Sequence, residues 1–229
     1  MDASLNLINE IKNSDIICVE NKYVFEKLIN SLSLSTKAKI IDLNIESLSN
    51  LNFNQKKDLI KKETDPLLLE YKNGKKILCL SDEGSSVLVD PFSGFRSKCI
   101  NNKIPHSIMA GPSAAINSIL NSPFFDGSKF VFLGMIQNIE DDEDSINLMK
   151  TSKYPCVIFL PPYKIDNFLQ KLCDILGVNR EATICISLTT DKEIVFSERL
   201  SRIQKFLNKF SDEEKQSNQF ALVIQGKMD

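Results

Sequence analysis

The sequence predicts an α/β fold, and three observations predict it. Short apolar runs alternate along the whole chain with stretches whose apolar residues recur at helical spacing, the pattern of strands covered by helices. The clearest run, Ile77-Leu78-Cys79-Leu80, stands between Lys75-Lys76 and Ser81-Asp82. It reads as a parallel strand buried on both faces. At Ser81 the composition then switches abruptly to small, polar and glycine residues. Ligands of open α/β sheets bind just outside the carboxyl ends of strands, so Ser81–Gly84 is a ligand corner. Gly84 lets the backbone approach a ligand, and Asp82 and the serines supply acceptors and donors. An ordinary strand-to-loop corner with capping residues has the same wording.

The 229 residues admit one large or two small α/β domains, and 42% hydrophobic with 25% charged residues is a globular composition. No apolar run reaches membrane-spanning length, and Met1-Asp2-Ala3-Ser4 has neither region of a signal peptide. A cytoplasmic protein without a membrane partner is expected. Of the six cysteines, Cys18, Cys79, Cys156 and Cys185 sit in apolar runs and none forms a C-x-x-C pair with another. Buried free thiols follow, with no metal site. A net charge of −2 argues against a broadly basic nucleic-acid surface and leaves room for a local patch; DNA is not expected as a partner.

Taken in order, Leu5, Ile8 and Ile11 mark a first helix, and Ile16–Val19 a buried strand ending at Glu20. Val24, Leu28, Ile29 and Leu32 mark a second helix and Lys39–Leu43 a second strand. Asn54–Glu63 is lysine-rich, with Leu59 and Ile60 as its apolar contacts; its lysine face reads as solvated, with RNA phosphate contact the sharper alternative. Asp65-Pro66 reads as an N-cap followed by proline at the first helical position. Pro91 opens a helix carrying Phe92, Phe95 and Cys99. Pro105–Met109 is expected as a strand running into Gly111-Pro112-Ser113-Ala114-Ala115, a glycine turn opening a helix and a second ligand corner. Beyond it, strands are expected at Phe130–Leu133, Pro155–Leu160, Ala182–Leu188 and Phe220–Ile224. Helices are expected near Glu143–Lys150, Tyr163–Leu176 and Glu198–Phe210. The acidic run Glu140–Asp144 reads as a loop entering a helix N-terminus, with a metal site the alternative.

Familiar catalytic patterns are missing: no G-x-G-x-x-G, Walker loop, G-x-S-x-G or H-E-x-x-H occurs. The one histidine, His106, reads as structural, which disfavours hydrolases built on Ser-His or Cys-His pairs. A ligand-binding α/β protein with so little acid–base equipment suits a reagent that arrives activated. Methyl transfer from S-adenosylmethionine is such a reaction, because the sulfonium leaves readily and the protein mainly supplies alignment.

Ser81-Asp82-Glu83-Gly84 followed by Asp90-Pro91 resembles the S-D/E-A-G-x-P…D-P-G motif of the tetrapyrrole methylases, the class III methyltransferases. Gly111-Pro112-Ser113-Ala114-Ala115-Ile116, Phe130–Gly134 and Phe220–Gly226 resemble, in order, motifs of the branch that methylates small-subunit ribosomal RNA at cytidine 2′-oxygens. The resemblance implies two α/β domains, 1–110 and 111–229, with S-adenosylmethionine in the cleft between them, and a homodimer. It implies Ser81, Asp82, Gly84, Ser113, Ala114, Leu188 and Thr189 as cofactor residues. Glu20, Tyr163 and Lys164 become candidates on the substrate side, with RNA as the methyl acceptor. A small tetrapyrrole-like acceptor, or a fold that binds cofactor or RNA without turnover, is an alternative.

The sequence departs from the family on the substrate side. The family's E-S/T-P-H/Y-R stands here as Leu160-Pro161-Pro162-Tyr163-Lys164, its E-D-x-R as Glu20-Asn21-Lys22-Tyr23, and its R-E-L-T-K as Ile186-Ser187-Leu188-Thr189-Thr190. Lysine does not replace arginine where a planar fork grips phosphate or carboxylate. A shorter branch with similar proline-tyrosine wording is the expected nearest relative. The family's first strand, L-Y-L-V-P-T-P-I-G-N in typical wording, has no counterpart, since Asp2-Ala3-Ser4 already resembles the loop into the first helix. The expectation is that Met1 is not the true start and that about ten or more upstream residues complete the sheet.

Overall fold

A computed structural model describes residues 3–45, 53–82 and 84–227. Met1 and Asp2, on which the reading of the chain start rested, and Glu83 of the quoted motif lie outside them. The chain forms two compact units, Met1–Pro112 and Ser113–Asp229. Among the described residues no helix is long and apolar enough to cross a membrane.

In the first unit, helix α1 (Leu5–Asn13) leads to β1 (Ile16–Val19), α2 (Lys22–Ser31), β2 (Lys39–Asp42), α3 (Phe53–Glu63), α4 (Asp65–Lys72), β3 (Ile77–Leu80) and α5 (Ser93–Asn101). The strands form a parallel sheet in the order β2-β1-β3. Central β1 is buried throughout and alternates its side chains between two cores. Ile17 and Val19 pack with Ile11 of α1 and Phe25 of α2, whereas Ile16 and Cys18 pack with Ile60 of α3, Leu67 of α4 and Phe92. The helices start where side chains supply the missing partners of free amides. Ser4 Oγ accepts from Leu7 N at 3.1 Å, and Asn21 Oδ1 accepts from Tyr23 N at 2.8 Å.

Three expectations in this unit are corrected. Pro105–Met109 forms no strand. Only Ile108 and Met109 of its five residues are aliphatic, and a strand needs a neighbour to take its amides. Among the described residues the sheet ends at β3, and most of the segment is exposed. Helix α4 is preceded by Thr64, not capped by Asp65; Thr64 Oγ1 instead donates back to Ile60 O at 2.6 Å, closing α3. Helix α5 begins at Ser93, two residues after Pro91, because Asp90 Oδ1 accepts from Phe92 N at 2.7 Å and holds a turn there. Of the lysines on α3, Lys61 and Lys62 are exposed and Lys56 and Lys57 half-buried.

The second unit contains α6 (Ala114–Leu120), β4 (Val131–Met135), α7 (Glu143–Thr151), β5 (Cys156–Leu160), α8 (Ile165–Leu176), β6 (Glu181–Ile186), β7 (Ile194–Arg199), α9 (Leu200–Leu207), α10 (Asp212–Ser217) and β8 (Phe220–Ile224). Its sheet runs β4-β5-β8-β6-β7, with only the β4–β5 pair parallel. On one face, α8 buries Ile165, Phe168, Leu169, Leu172 and Cys173, spaced as one helical stripe, beside Leu200, Ile203 and Leu207 of α9. On the other, Ala115 and Ile119 of α6 pack on Val157 of β5 and Val223 of β8. The acidic run enters α7 as expected, with Asp142 Oδ1 accepting from Ser145 N at 3.0 Å.

Strand β7 and helix α10 were not anticipated. Glu198 and Arg199, expected in a helix, close β7, and the helix begins at Leu200. Strand β7 has one face half-buried and the other in water, and its apolar run Ile194-Val195-Phe196 is only three residues long. Strand β6 stops at Ile186, short of Leu188, where Ser187 and Thr189 take φ values of +46° and +63° that no strand accommodates. All six cysteines are free, five of them buried.

Candidate functional site

Strand β1 lies between its two neighbours, so the chain leaves its carboxyl end toward β2 on one side while β3 arrives on the other. That reversal is a topological switch point, where an open α/β sheet leaves a crevice between the carboxyl ends of adjacent strands. Val19 pairs with Leu80, so Glu20 and Ser81 leave the sheet side by side. A cavity of about 340 Å³ opens here. Val19, Leu80 and Phe25 give it apolar walls, and Ser81, Asp82 and Lys27 give it polar groups. Apolar walls with a few convergent polar groups are the composition of a small-molecule site.

The loop beyond Ser81 is tied down by hydroxyls. Ser81 Oγ donates to Ser86 Oγ at 2.7 Å, and Ser85 Oγ donates to Pro112 O at 2.9 Å. Gly84 sits at φ +65°, and a Cβ there would lie 3.9 Å from Pro112 O. Further on, Val87 and Val89 hold φ values of +79° and +55°. β-branched residues rarely tolerate this region, and such strain gathers at ligand-handling loops. Below the corner, Cys79 stands in register with Cys18. The hydrogen bond to Cys18, and then burial, push the Cys79 thiol well above its usual pKa.

In the second unit the second expected corner loses its strand but keeps its helix start. Ser113 caps α6, its Oγ accepting from Ile116 N at 3.4 Å, and Ala114 is the exposed first residue. Leu188 and Thr189 lie in the turn from β6 to β7, where Thr189 N donates to Glu193 Oε2 at 2.6 Å. Tyr163 and Lys164 lie in a short 3-10 turn, Pro162–Lys164, just after β5. Leu160 and Ile186 both pair with Phe220, so the turns after β5 and β6 emerge at the same end of the sheet.

The structure thus gathers the candidates in two groups. Glu20, Ser81, Asp82 and Gly84 stand at the switch point of the first unit. Tyr163, Lys164, Leu188 and Thr189 stand at one sheet end of the second, with Ser113 and Ala114 on the face opposite α8. Sequence reasoning missed Phe25, Lys27 and Ser85. The first two read as part of an ordinary amphipathic helix, and nothing in the wording separated Ser85 from Ser86. His106 is exposed, its Nδ1 2.9 Å from Ile104 O.

The fold is the tetrapyrrole methylase fold. The chain superposes on a crystal structure of diphthine synthase with a TM-score of 0.64 at 13% identity, over 100% of this chain and 86% of that one. It superposes on the methyltransferase CobJ with a TM-score of 0.66 at 10% identity, over 98% and 88%. With uroporphyrin-III C-methyltransferase of Thermus thermophilus, complexed with S-adenosyl homocysteine, the TM-score is 0.61 at 12% identity, over 97% and 90%. In sequence the chain is similar to the ribosomal RNA small subunit methyltransferase I proteins. It is 26% identical over 226 residues to that of Thermotoga maritima, covering 99% of this chain and 93% of that protein. It is 25% identical over 195 residues to that of Buchnera aphidicola subsp. Baizongia pistaciae, covering 85% of this chain but only 62% of that protein. No family model matches the chain.

Proposed function

We propose that this protein is an S-adenosylmethionine-dependent methyltransferase acting on a ribose hydroxyl of small-subunit ribosomal RNA. The observation that carries this reading is the similarity to ribosomal RNA small subunit methyltransferase I over 99% of the chain. A cytoplasmic setting and a homodimer belong to the same reading.

The residues at the switch point suit the cofactor. Val19, Phe25 and Leu80 offer apolar surface for an adenine ring, and Ser81 Oγ, its own proton given to Ser86, and Asp82 offer acceptors for ribose hydroxyls. Gly84 keeps the approach free of side chain. Ser113, Ala114, Leu188 and Thr189 of the second unit are proposed as cofactor residues on the sequence resemblance alone. When bound, S-adenosylmethionine supplies a methyl group on a sulfonium, which needs alignment more than acid catalysis. Glu20, leaving the sheet beside Ser81, is the carboxylate assigned to the acceptor side, where it can take up the proton of the reacting hydroxyl. Tyr163 and Lys164 are assigned to holding the acceptor.

The test has two arms. Titration calorimetry is expected to show saturable binding of S-adenosylhomocysteine to the purified protein. Mapping of ribose methylation is expected to show one small-subunit site lost in cells without this gene. No binding at millimolar ligand would overturn the cofactor assignment. Binding with an unchanged methylation map would overturn the acceptor.

A further inference from the structure

We propose that Tyr163 is a stacking platform for a single nucleobase of the acceptor RNA, held ready by Gln137 and Lys164; this rests on the RNA reading above. Tyr163 is 62% exposed, so no core needs its ring. Yet it is not left to rotate. Its hydroxyl donates to Gln137 Oε1 at 2.8 Å, and the Gln137 amide in turn contacts the sulfur of Met135 at 2.9 Å. Lys164 Nζ lies 5.5 Å from the ring centroid. The turn carrying Tyr163 is itself anchored. Asp166, two residues on, accepts from Lys215 Nζ at 2.7 Å, and the Lys215 side chain is only 9% exposed.

Ordering an exposed aromatic ring costs side-chain entropy and returns little to stability. The same order lowers the cost of binding a flat partner, because the ring is already placed. Every nucleobase has a face that stacks on an aromatic ring, and an adjacent ammonium attracts the phosphate beside it. The surroundings carry chemistry that suits this partner. Lys164 is cationic, Gln137 offers an amide to a base edge, and Met135, 41% exposed, offers apolar contact. All four residues stand at the carboxyl ends of the parallel strands β4 and β5. The turn holding Leu188 and Thr189 emerges at that same end.

The experiment uses the full chain with S-adenosylhomocysteine present and fluorescein-labelled single-stranded RNAs of about twelve nucleotides, a length typical of such sites, tiled from small-subunit ribosomal RNA. On the tile that binds best, each base is removed in turn to leave an abasic sugar. The wild-type protein is expected to lose about tenfold or more in affinity at one position. Tyr163→Ala should lose a similar factor on the intact tile and become indifferent to that position. Tyr163→Phe, which keeps the ring and loses its tether, should lose only a small part. If Tyr163→Ala binds intact RNA as the wild type does, or weakens intact and abasic RNA alike, the platform is wrong while the RNA reading stands. If the wild-type protein binds none of the tiles, the RNA reading falls and takes the platform with it.

Discussion

Gly84 meets two demands at once. Its φ of +65° is a conformation in which a side chain costs about 1–2 kcal/mol, yet the space around it is open, the nearest atom to a Cβ being 3.9 Å away. Backbone conformation therefore favours glycine even without a ligand. A valine here would strain the loop as well as fill the open space beside it, confounding the two effects. Asparagine separates them, because it tolerates positive φ while filling space. Gly84→Asn is expected to keep the melting temperature within a few degrees of wild type and to weaken S-adenosylhomocysteine about tenfold or more by calorimetry. Unchanged affinity in that variant would take Gly84 out of the site. Ser81 and Asp82 could be placed from the sequence because the switch from apolar to polar at Leu80–Ser81 marks the end of a buried strand. Lys27 and Phe25 could not, because a helix lining a crevice and a helix covering a core have the same spacing.

Among the elements, those with an uninterrupted apolar run or a full helical stripe were readable: β1, β3, β5, β8 and α8. Those whose conformation depends on a neighbour were not. Strand β7 exists because β6 takes its hydrogen bonds from Ile194 to Arg199. The segment Pro105–Met109 is not a strand because no described strand lies beside it. Helix α10 is specified by a capping box, Ser211 with Glu214, rather than by apolar spacing. Close packing of helices is equally invisible in the residue pattern. Gly94 lets α5 meet α3, since a Cβ there would come against the Lys57 carbonyl. The same contact is reinforced by buried Lys98, whose ammonium donates to Lys61 O and Asp65 Oδ1. Helices α3 and α5 cannot separate without disturbing that ammonium. Gly94→Ala is therefore expected to destabilise the protein by about 1–3 kcal/mol, read as a lower denaturation midpoint in urea.

For the whole molecule, the two sheets differ in how completely their strands are paired. In the second unit the buried strands β5, β8 and β6 each have neighbours on both sides, and half-buried strands close the edges. In the first, β3 has β1 on one side, and among the described residues no strand pairs with the other. Yet β3 carries Leu80 into the candidate site and places Ser81 and Asp82. The strand that positions the ligand corner is thus also, like β2, an edge strand with a half-used ladder. A half-used ladder opens locally at less cost than a full one, and hydrogen–deuterium exchange measures that cost amide by amide. The amides of β3 that point away from β1 are expected to exchange well before those of β1. Equal protection along β1 and β3 would contradict this. Exposed strand edges also template unwanted pairing with other chains. Where the outer edge of β3 breathes, Ser81 and Asp82 move with it, so cofactor occupancy and protection of the β3 amides should rise and fall together.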